Sequence, residues 1–316
     1  MDNIYLITII GIFLSMGLGK VIIPMLKRKK IGQNIREVGP QSHMAKAGTP
    51  TMGGIIFIIV AFAMSLIILP KNLETLILVI SMLGFGAIGF IDDFRKLVLH
   101  KSEGLKPKQK LVLQFALAAL ITILAYLNDK ESITKLLIPF TTTYLPVSVL
   151  GFPIMIFIIV GTSNATNLTD GLDGLLVSVS IPVFISLAIL AGSGTNKLFA
   201  IIMLGAILGF LIYNSNPASV FMGDTGSMAI GGAVVALAIN LKIPIYLVIF
   251  GGVYVMETLS VIIQVISYRY RNKKRVFLMT PIHHHFELKG YKEQKIVVGF
   301  MILSVILCLI TLVAIL

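Results

Sequence analysis

The chain has 316 residues, 57% of them hydrophobic and only 13% charged, with a mean hydropathy of +0.97 and a formal net charge of +12. That balance lies outside the range of water-soluble domains, so soluble enzymes and soluble binding modules are excluded and a polytopic membrane protein is implied. A charge of +12 would suit a nucleic-acid partner by its size alone, but its distribution along the chain, given below, assigns it to membrane topology instead.

A helix needs about 20 mostly apolar residues to cross the hydrocarbon core. Ten segments meet or approach that demand: 4–26, 53–70, 73–91, 111–127, 147–162, 172–191, 198–213, 226–241, 244–267 and 296–316. The expectation is one all-α polytopic membrane domain over residues 1–316, with about ten transmembrane helices. Residues 4–26 are too long for the apolar core of a cleavable leader, and Lys27-Arg28-Lys29-Lys30 follows them as a stop-transfer anchor. The segment 226–241 is short. The segment 244–267 carries Gly251-Gly252, Glu257 and Gln264, so it is expected to be broken or to line a polar cavity. Between the fourth and fifth spans, Thr141-Thr142-Thr143-Tyr144 predicts a hairpin. Cys308, the single cysteine, falls in the last span, which excludes an intrachain disulfide and marks it as a packing or lipid-facing residue.

With ten crossings the connections alternate sides. Segments 27–52, 92–110, 163–171, 214–225 and 268–295 share one side and hold 20 of the 26 Lys and Arg residues. The other side holds Lys71, Lys130, Lys135, Lys197 and Lys242. Positive charge accumulates on the cytoplasmic face, so the first side is cytoplasmic and both termini are extracytoplasmic. Attraction of anionic lipid or substrate is a secondary role for the same charge.

Four polar clusters then fall on the cytoplasmic side. Lys46-Ala47-Gly48-Thr49-Pro50-Thr51-Met52-Gly53-Gly54 combines small residues, hydroxyls and a lysine, which suits close approach to phosphate or ribose oxygens. A plain loop with a helix start is the alternative. Asp92-Asp93-Phe94-Arg95-Lys96 places two carboxylates at a span's end, where ionisable groups are costly and usually functional. Adjacent carboxylates repel unless a cation or proton intervenes, and oxygen donors beside phosphates favour Mg²⁺. Neighbouring helical residues diverge by about 100°, so the two need not share a task, whereas Lys96 is placed either to pair with Asp92 or to meet a phosphate. Asn164, Asn167, Asp170 and Asp173 recur every third position and are expected to form one row of amides and carboxylates. The fourth cluster joins Asn214-Ser215-Asn216-Pro217, Phe221-Met222-Gly223-Asp224-Thr225-Gly226-Ser227 and Pro281-Ile282-His283-His284-His285-Phe286-Glu287. Asp224 leads into a helix, where it serves as a cap or as a metal or phosphate contact. Three consecutive histidines do not turn readily to one zinc ion, and suit proton handling or hydrogen bonding to anionic oxygens better.

Together Asp92-Asp93-x-x-Lys96, Asn164-x-x-Asn167-x-x-Asp170-x-x-Asp173-Gly174, Gly223-Asp224-x-Gly226-Ser227 and Pro281-x-His283-His284-His285 resemble the polyprenyl-phosphate N-acetylhexosamine-1-phosphate transferases over essentially the whole chain. Within them, the Lys46–Gly54 stretch and the histidine run resemble the branch that handles phospho-MurNAc-pentapeptide. The resemblance implies a bacterial inner-membrane enzyme with its site at the cytoplasmic face. It would move phospho-MurNAc-pentapeptide from UDP-MurNAc-pentapeptide to undecaprenyl phosphate, giving lipid I and UMP for peptidoglycan synthesis. It further implies Mg²⁺ at Asp224, with Asp92 or Asp93 beside it, and a catalytic set of Asp92, Asp93, Asp224 and His283; direct attack with Asp92 as base is the favoured course, and a covalent aspartyl intermediate is the alternative. Lys46, Thr51, Lys96, Asn164, Asn167, Asp170, Asp173, Asn214, Phe221, Gln264, His284 and His285 are implied as substrate contacts, Phe221 by stacking on uracil. A homodimer through the first and last spans is a further expectation. The competing classes are a sister transferase using UDP-GlcNAc, an intramembrane prenyltransferase, and a secondary transporter, whose internal repeats and midplane acids this sequence lacks.

Overall fold

The computed structural model describes residues 3–28, 48–97 and 104–316. Every one of the ten apolar segments is helical. The long elements are α1 (Ile4–Arg28), α2 (Ile55–Ile68), α3 (Leu73–Leu97), α4 (Pro107–Asn128), α6 (Gly151–Thr169), α7 (Leu175–Leu190), α8 (Thr195–Asn214), α9 (Gly223–Asn240), α11 (Gly252–Tyr270) and α13 (Glu293–Ile315). Short helices α5 (Glu131–Thr134), α10 (Leu247–Phe250) and α12 (Ile282–Leu288) join them. Among the described residues six helices are long and apolar enough to cross a bilayer, and seven if the pair around α10 and α11 counts as one span. The protein is therefore an all-α polytopic membrane protein. The count falls three short of ten: α2 and α7 have only 14 and 16 residues, and α9, with 18, begins on the polar run Asp224-Thr225-Gly226-Ser227. At about 1.5 Å per residue they are shorter than a ~30 Å hydrocarbon core.

The core is organised around α9, in which every residue from Thr225 to Ile239 is buried. A helix apolar on all sides belongs inside a bundle, and its Gly, Ala and Ser positions let neighbouring backbones approach closely. α3 packs along it, antiparallel, with α6 on another side and α2 against its start. Two polar ties fasten the far ends of these helices. Asn240 donates to the Glu74 carbonyl (3.3 Å) and to Asn196 Oδ1 (3.1 Å), while Asn196 donates to Glu74 Oε1 (2.5 Å).

The expected hairpin is present. Strands β1 (Lys135–Leu137) and β2 (Tyr144–Pro146) pair antiparallel, with Lys135 opposite Pro146, and the threonine run forms the connection. Phe140 N donates to Tyr246 Oη (2.9 Å), and Lys242 Nζ pairs with Asp129 (2.6 Å), so the hairpin is fixed to the turn after α9. Lys242 holds the Asp129 carboxyl below its usual range. The expected break also occurs: Pro244–Phe250 and Gly252–Tyr270 meet at 83°. Gly251 sits between the two limbs. Cys308 is buried, its thiol 3.8 Å from the Phe250 carbonyl, which makes it a packing residue.

Candidate active site

The two adjacent aspartates leave α3 in different directions. Asp93 turns to the start of α9, where its Oδ2 accepts from Thr225 N (2.9 Å) and Thr225 Oγ1 (2.7 Å), and its Oδ1 from Asp224 N (3.3 Å). The first amides of a helix have no partner within the helix, and a carboxylate there also meets the positive end of the dipole. Asp93 thus caps α9 from a neighbouring helix. One turn earlier, Gly89 makes this approach possible: a Cβ at that position would lie 2.1 Å from the Asp224 carbonyl oxygen. Any side chain there would push α9 off α3.

Asp92 faces the other way, into a square of charges. Its Oδ2 lies 2.6 Å from Lys96 Nζ and 3.4 Å from Lys110 Nζ. Asp224 Oδ2 lies 2.6 Å from Lys110 Nζ and 3.5 Å from Lys96 Nζ. Leu105 N donates to the remaining oxygen of Asp92 (2.7 Å). Asp92 is almost fully buried and Lys110 mostly so, which shelters their contact from solvent screening, whereas Lys96 is 44% exposed. Burial pushes the Asp224 carboxyl up, but the Asp92 hydrogen bond and the Lys110 and Lys96 ammoniums outweigh it and hold the group below the usual carboxylate range.

The end of α6 supplies a fourth carboxylate. Asp170 stands just past the last helical residue, and burial, followed by the charges of Asp224, Asp93 and Asp173, raises its carboxyl well above the usual range. Asn167, one turn back, donates to Ser227 Oγ (3.0 Å) and ties α6 to the first turn of α9. Thr51 closes the cluster from the segment before α2, which runs beside residues 220–223. Phe221 N donates to the Pro50 carbonyl (2.8 Å), Gly53 N to the Phe221 carbonyl (2.8 Å) and Gly54 N to the Met222 carbonyl (3.0 Å). The result is a charged nest with more carboxylates than ammoniums, where helix starts and ends from α3, α4, α6 and α9 converge. An apolar groove of about 260 Å³ runs between α6 and the broken helix, lined by Thr162, Ala165, Gly251, Tyr254 and Thr258 among others.

Residues 74–242 match the family described as Glycosyl transferase family 4, and residues 46–58 match the phospho-N-acetylmuramoyl-pentapeptide-transferase signature 1. The phospho-N-acetylmuramoyl-pentapeptide-transferase of Desulfitobacterium hafniense is 47% identical, covering 96% of this chain and 95% of that protein. Those of Clostridium kluyveri and Caldanaerobacter subterraneus are 46% and 44% identical, each with 96% of both chains covered. The chain belongs to the phospho-N-acetylmuramoyl-pentapeptide-transferase family.

Not every expected contact of this transferase converges on the nest. Lys46 lies outside the described residues. Asn164 faces α4, where it exchanges amide hydrogen bonds with Gln114 (2.9 and 3.3 Å). Asp173 lies beyond the end of α6 and accepts from Asn216 Nδ2 (3.2 Å) and Ala218 N (3.0 Å), organising the connection after α8. The expected row of four is therefore split, because the helix ends at Thr169 and the chain turns. Asn214 is buried and donates to the Val220 carbonyl (3.1 Å), holding that same connection. Phe221 is half-buried, its backbone engaged as above. Gln264 is explained structurally: its Oε1 accepts from Val276 N and Phe277 N, and its Nε2 donates to the Phe277 carbonyl.

The histidines part company too. His283 is fully buried beside Glu257, His284 lies 2.7 Å from Glu287, and His285 accepts from Leu278 N (3.1 Å). Burial, then Lys289, lowers the His285 ring's basicity, as befits a ring used for packing.

Sequence reasoning passed over three participants. Lys110 bridges Asp92 and Asp224, Glu257 holds His283, and Glu293 receives Asp173 N (2.6 Å) and Asn216 Nδ2 (2.9 Å). Lys110 had only a weak signal, its place in the first turn after Pro107. Glu257 had a stronger one, as the only acid between residues 244 and 267.

Proposed function

We propose that the protein transfers phospho-MurNAc-pentapeptide from UDP-MurNAc-pentapeptide to undecaprenyl phosphate, forming lipid I and releasing UMP. The observation that carries this reading is the charged nest, in which Asp92 and Asp224 meet Lys96 and Lys110 where helix ends converge, in a membrane protein that also holds an apolar groove between α6 and the broken helix. A lipid phosphate needs a place for its chain beside a place for its head, and a nucleotide diphosphate needs cations and oxygen ligands at the same spot.

In the reaction an oxygen of the lipid phosphate attacks the sugar-bearing phosphorus. The bond from that phosphorus to the bridging oxygen breaks, and UMP leaves with the bonding pair. Lys96 and Lys110 stand where the diphosphate's charge must be met, and Asp92, oriented by both lysines and by Leu105 N, is the group placed to accept the acceptor's proton or to steer its oxygen. Asp93 acts by holding α9, and with it Asp224, in register.

Mg²⁺ fits the donor set. Among the described residues no three acidic, histidine or cysteine side chains stand close enough to share one ion. One or two carboxylates completed by substrate oxygens and water is the arrangement Mg²⁺ favours. Asp224 would hold it, with Asp92 or Asp170 alongside. The expectation that Asp93 is a ligand is not carried forward, since both its oxygens are taken up by α9. When bound, the ion neutralises the diphosphate and polarises the bond that breaks.

The same reading places all ten apolar helices across the membrane, with both termini outside and the nest on the cytoplasmic face. The cation-rich side of the chain and the site side coincide, which supports it. α1 and α13 present apolar outer faces, including Phe13 and Val305, which supports a homodimer through them.

The deciding assay is UMP release by purified protein with undecaprenyl phosphate, Mg²⁺ and either UDP-MurNAc-pentapeptide or UDP-GlcNAc. Turnover with the pentapeptide donor alone, lost on chelation and in Asp224→Ala, is expected. Turnover with UDP-GlcNAc would move the chain to the sister transferases.

A further inference from the structure

Glu257 lies in the second turn of α11 with none of its side chain exposed. Among the described residues its ion-pair partner is His283, equally buried, whose Nδ1 stands 3.1 Å from Glu257 Oε2, off the hydrogen-bond line. The backbone N of His283 approaches the same oxygen at 3.5 Å. Among the described residues Glu257 Oε1 and His283 Nε2 have no hydrogen-bond partner. A buried acid with unmatched oxygens in a membrane helix costs stability, and an apolar residue of similar size would remove that cost. Packing alone therefore does not account for it.

The other edge of the His283 ring supplies the reason. It rests on the backbone of Gly171, where a Cβ would lie 2.0 Å from Nε2. Gly171 follows Asp170, the raised carboxylate of the nest. His283 also lies against His284, their ring centroids 4.1 Å apart. A carboxylate on one nitrogen of an imidazole fixes the ring's orientation and keeps a proton on that nitrogen.

We propose that Glu257 is a positioning residue of the phosphotransfer reaction: through His283 it holds the histidine helix α12 against the Asp170–Gly171 turn, and so sets the relation between the histidines and the carboxylate nest. This rests on the reading of His283 as a residue of the reaction site.

The test uses the full-length protein in detergent, with UMP release as readout and a thermal midpoint measured on each sample. Glu257→Leu is expected to lower kcat by about 30-fold or more while the KM for the UDP donor stays within about 3-fold, and the midpoint is held or raised. Glu257→Gln, which keeps an acceptor oxygen in place, is expected to recover most of the lost kcat. Gly171→Ala displaces the ring without touching Glu257, and is expected to lower kcat in the same way; it also serves if the leucine variant does not fold. Glu257→Leu combined with His283→Gln should be no slower than His283→Gln alone.

Parent-like turnover of Glu257→Leu or of Gly171→Ala, with His283→Gln inactive, overturns the inference. So does an equal loss in the folded glutamine and leucine variants. Full activity of His283→Gln would instead remove the reading on which the inference rests.

Discussion

The two ends of the α3–α9 pair are both polar, yet they are built on opposite principles. At one end Glu74, Asn196 and Asn240 form a closed set, in which amide donors find acceptors within the group. At the other, Asp92, Asp93, Asp170 and Asp224 face two ammoniums, and Asp170 is left with a carboxyl raised by burial and then by its acidic neighbours. A satisfied network fastens helices, and an unbalanced one is a place for a ligand to complete. The same two helices thus carry a fastening at one end and a reaction site at the other.

Substitutions that remove charge from the open end separate the two roles most sharply. Asp224→Asn is expected to lower kcat by about a thousandfold with the thermal midpoint little changed, as befits a group interacting mainly with the reacting phosphates. A variant with more than a tenth of the parent's turnover would break the assignment. Lys110→Met should cost roughly 10- to 100-fold and also move the pH profile. Asp224 is held below its usual range, so it stays ionised until the pH falls through that lowered value. Removing a cation that holds it down should shift the acid limb of kcat/KM to higher pH, and an unmoved limb would sever Lys110 from Asp224.

How much of this was open to inspection from the sequence follows from the physics of each element. Ten apolar segments were visible because lipid imposes length and apolarity on single helices. The break at Gly251 and the threonine hairpin were visible because glycine, polar residues and loop composition act locally. The divergence of Asp92 and Asp93 followed from helical geometry alone. What each aspartate met did not, because Thr225 and Lys110 come from other helices. The every-third-residue row beginning at Asn164 misled for a related reason: periodicity describes a helix only while the helix lasts, and α6 stops at Thr169.

Smaller effects test the fastening side. Asp93→Asn keeps one acceptor and removes the charge from the α9 cap, and should destabilise by about 1–3 kcal/mol as well as slow turnover. Asp92→Asn should slow turnover without that loss, and equal midpoints for the two variants would contradict their separate tasks. Asn240→Ala should lower stability by about 1 kcal/mol and leave kcat unchanged. A change in kcat there would mean that the two ends are coupled.

The 83° corner at Gly251 bears on how the protein must be handled. At 83° the two limbs cannot both follow the bilayer normal, and the longer of them is a beam of 19 residues, or about 28 Å. Leu259, Ile262, Val265 and Ile266 along it are open to the surroundings. In a bilayer the acyl chains press on such a beam from every side, whereas a small micelle leaves it overhanging. Short-chain detergents should therefore loosen the segment that carries Glu257 and Gln264 before the bundle itself yields, and added lipid should restore it.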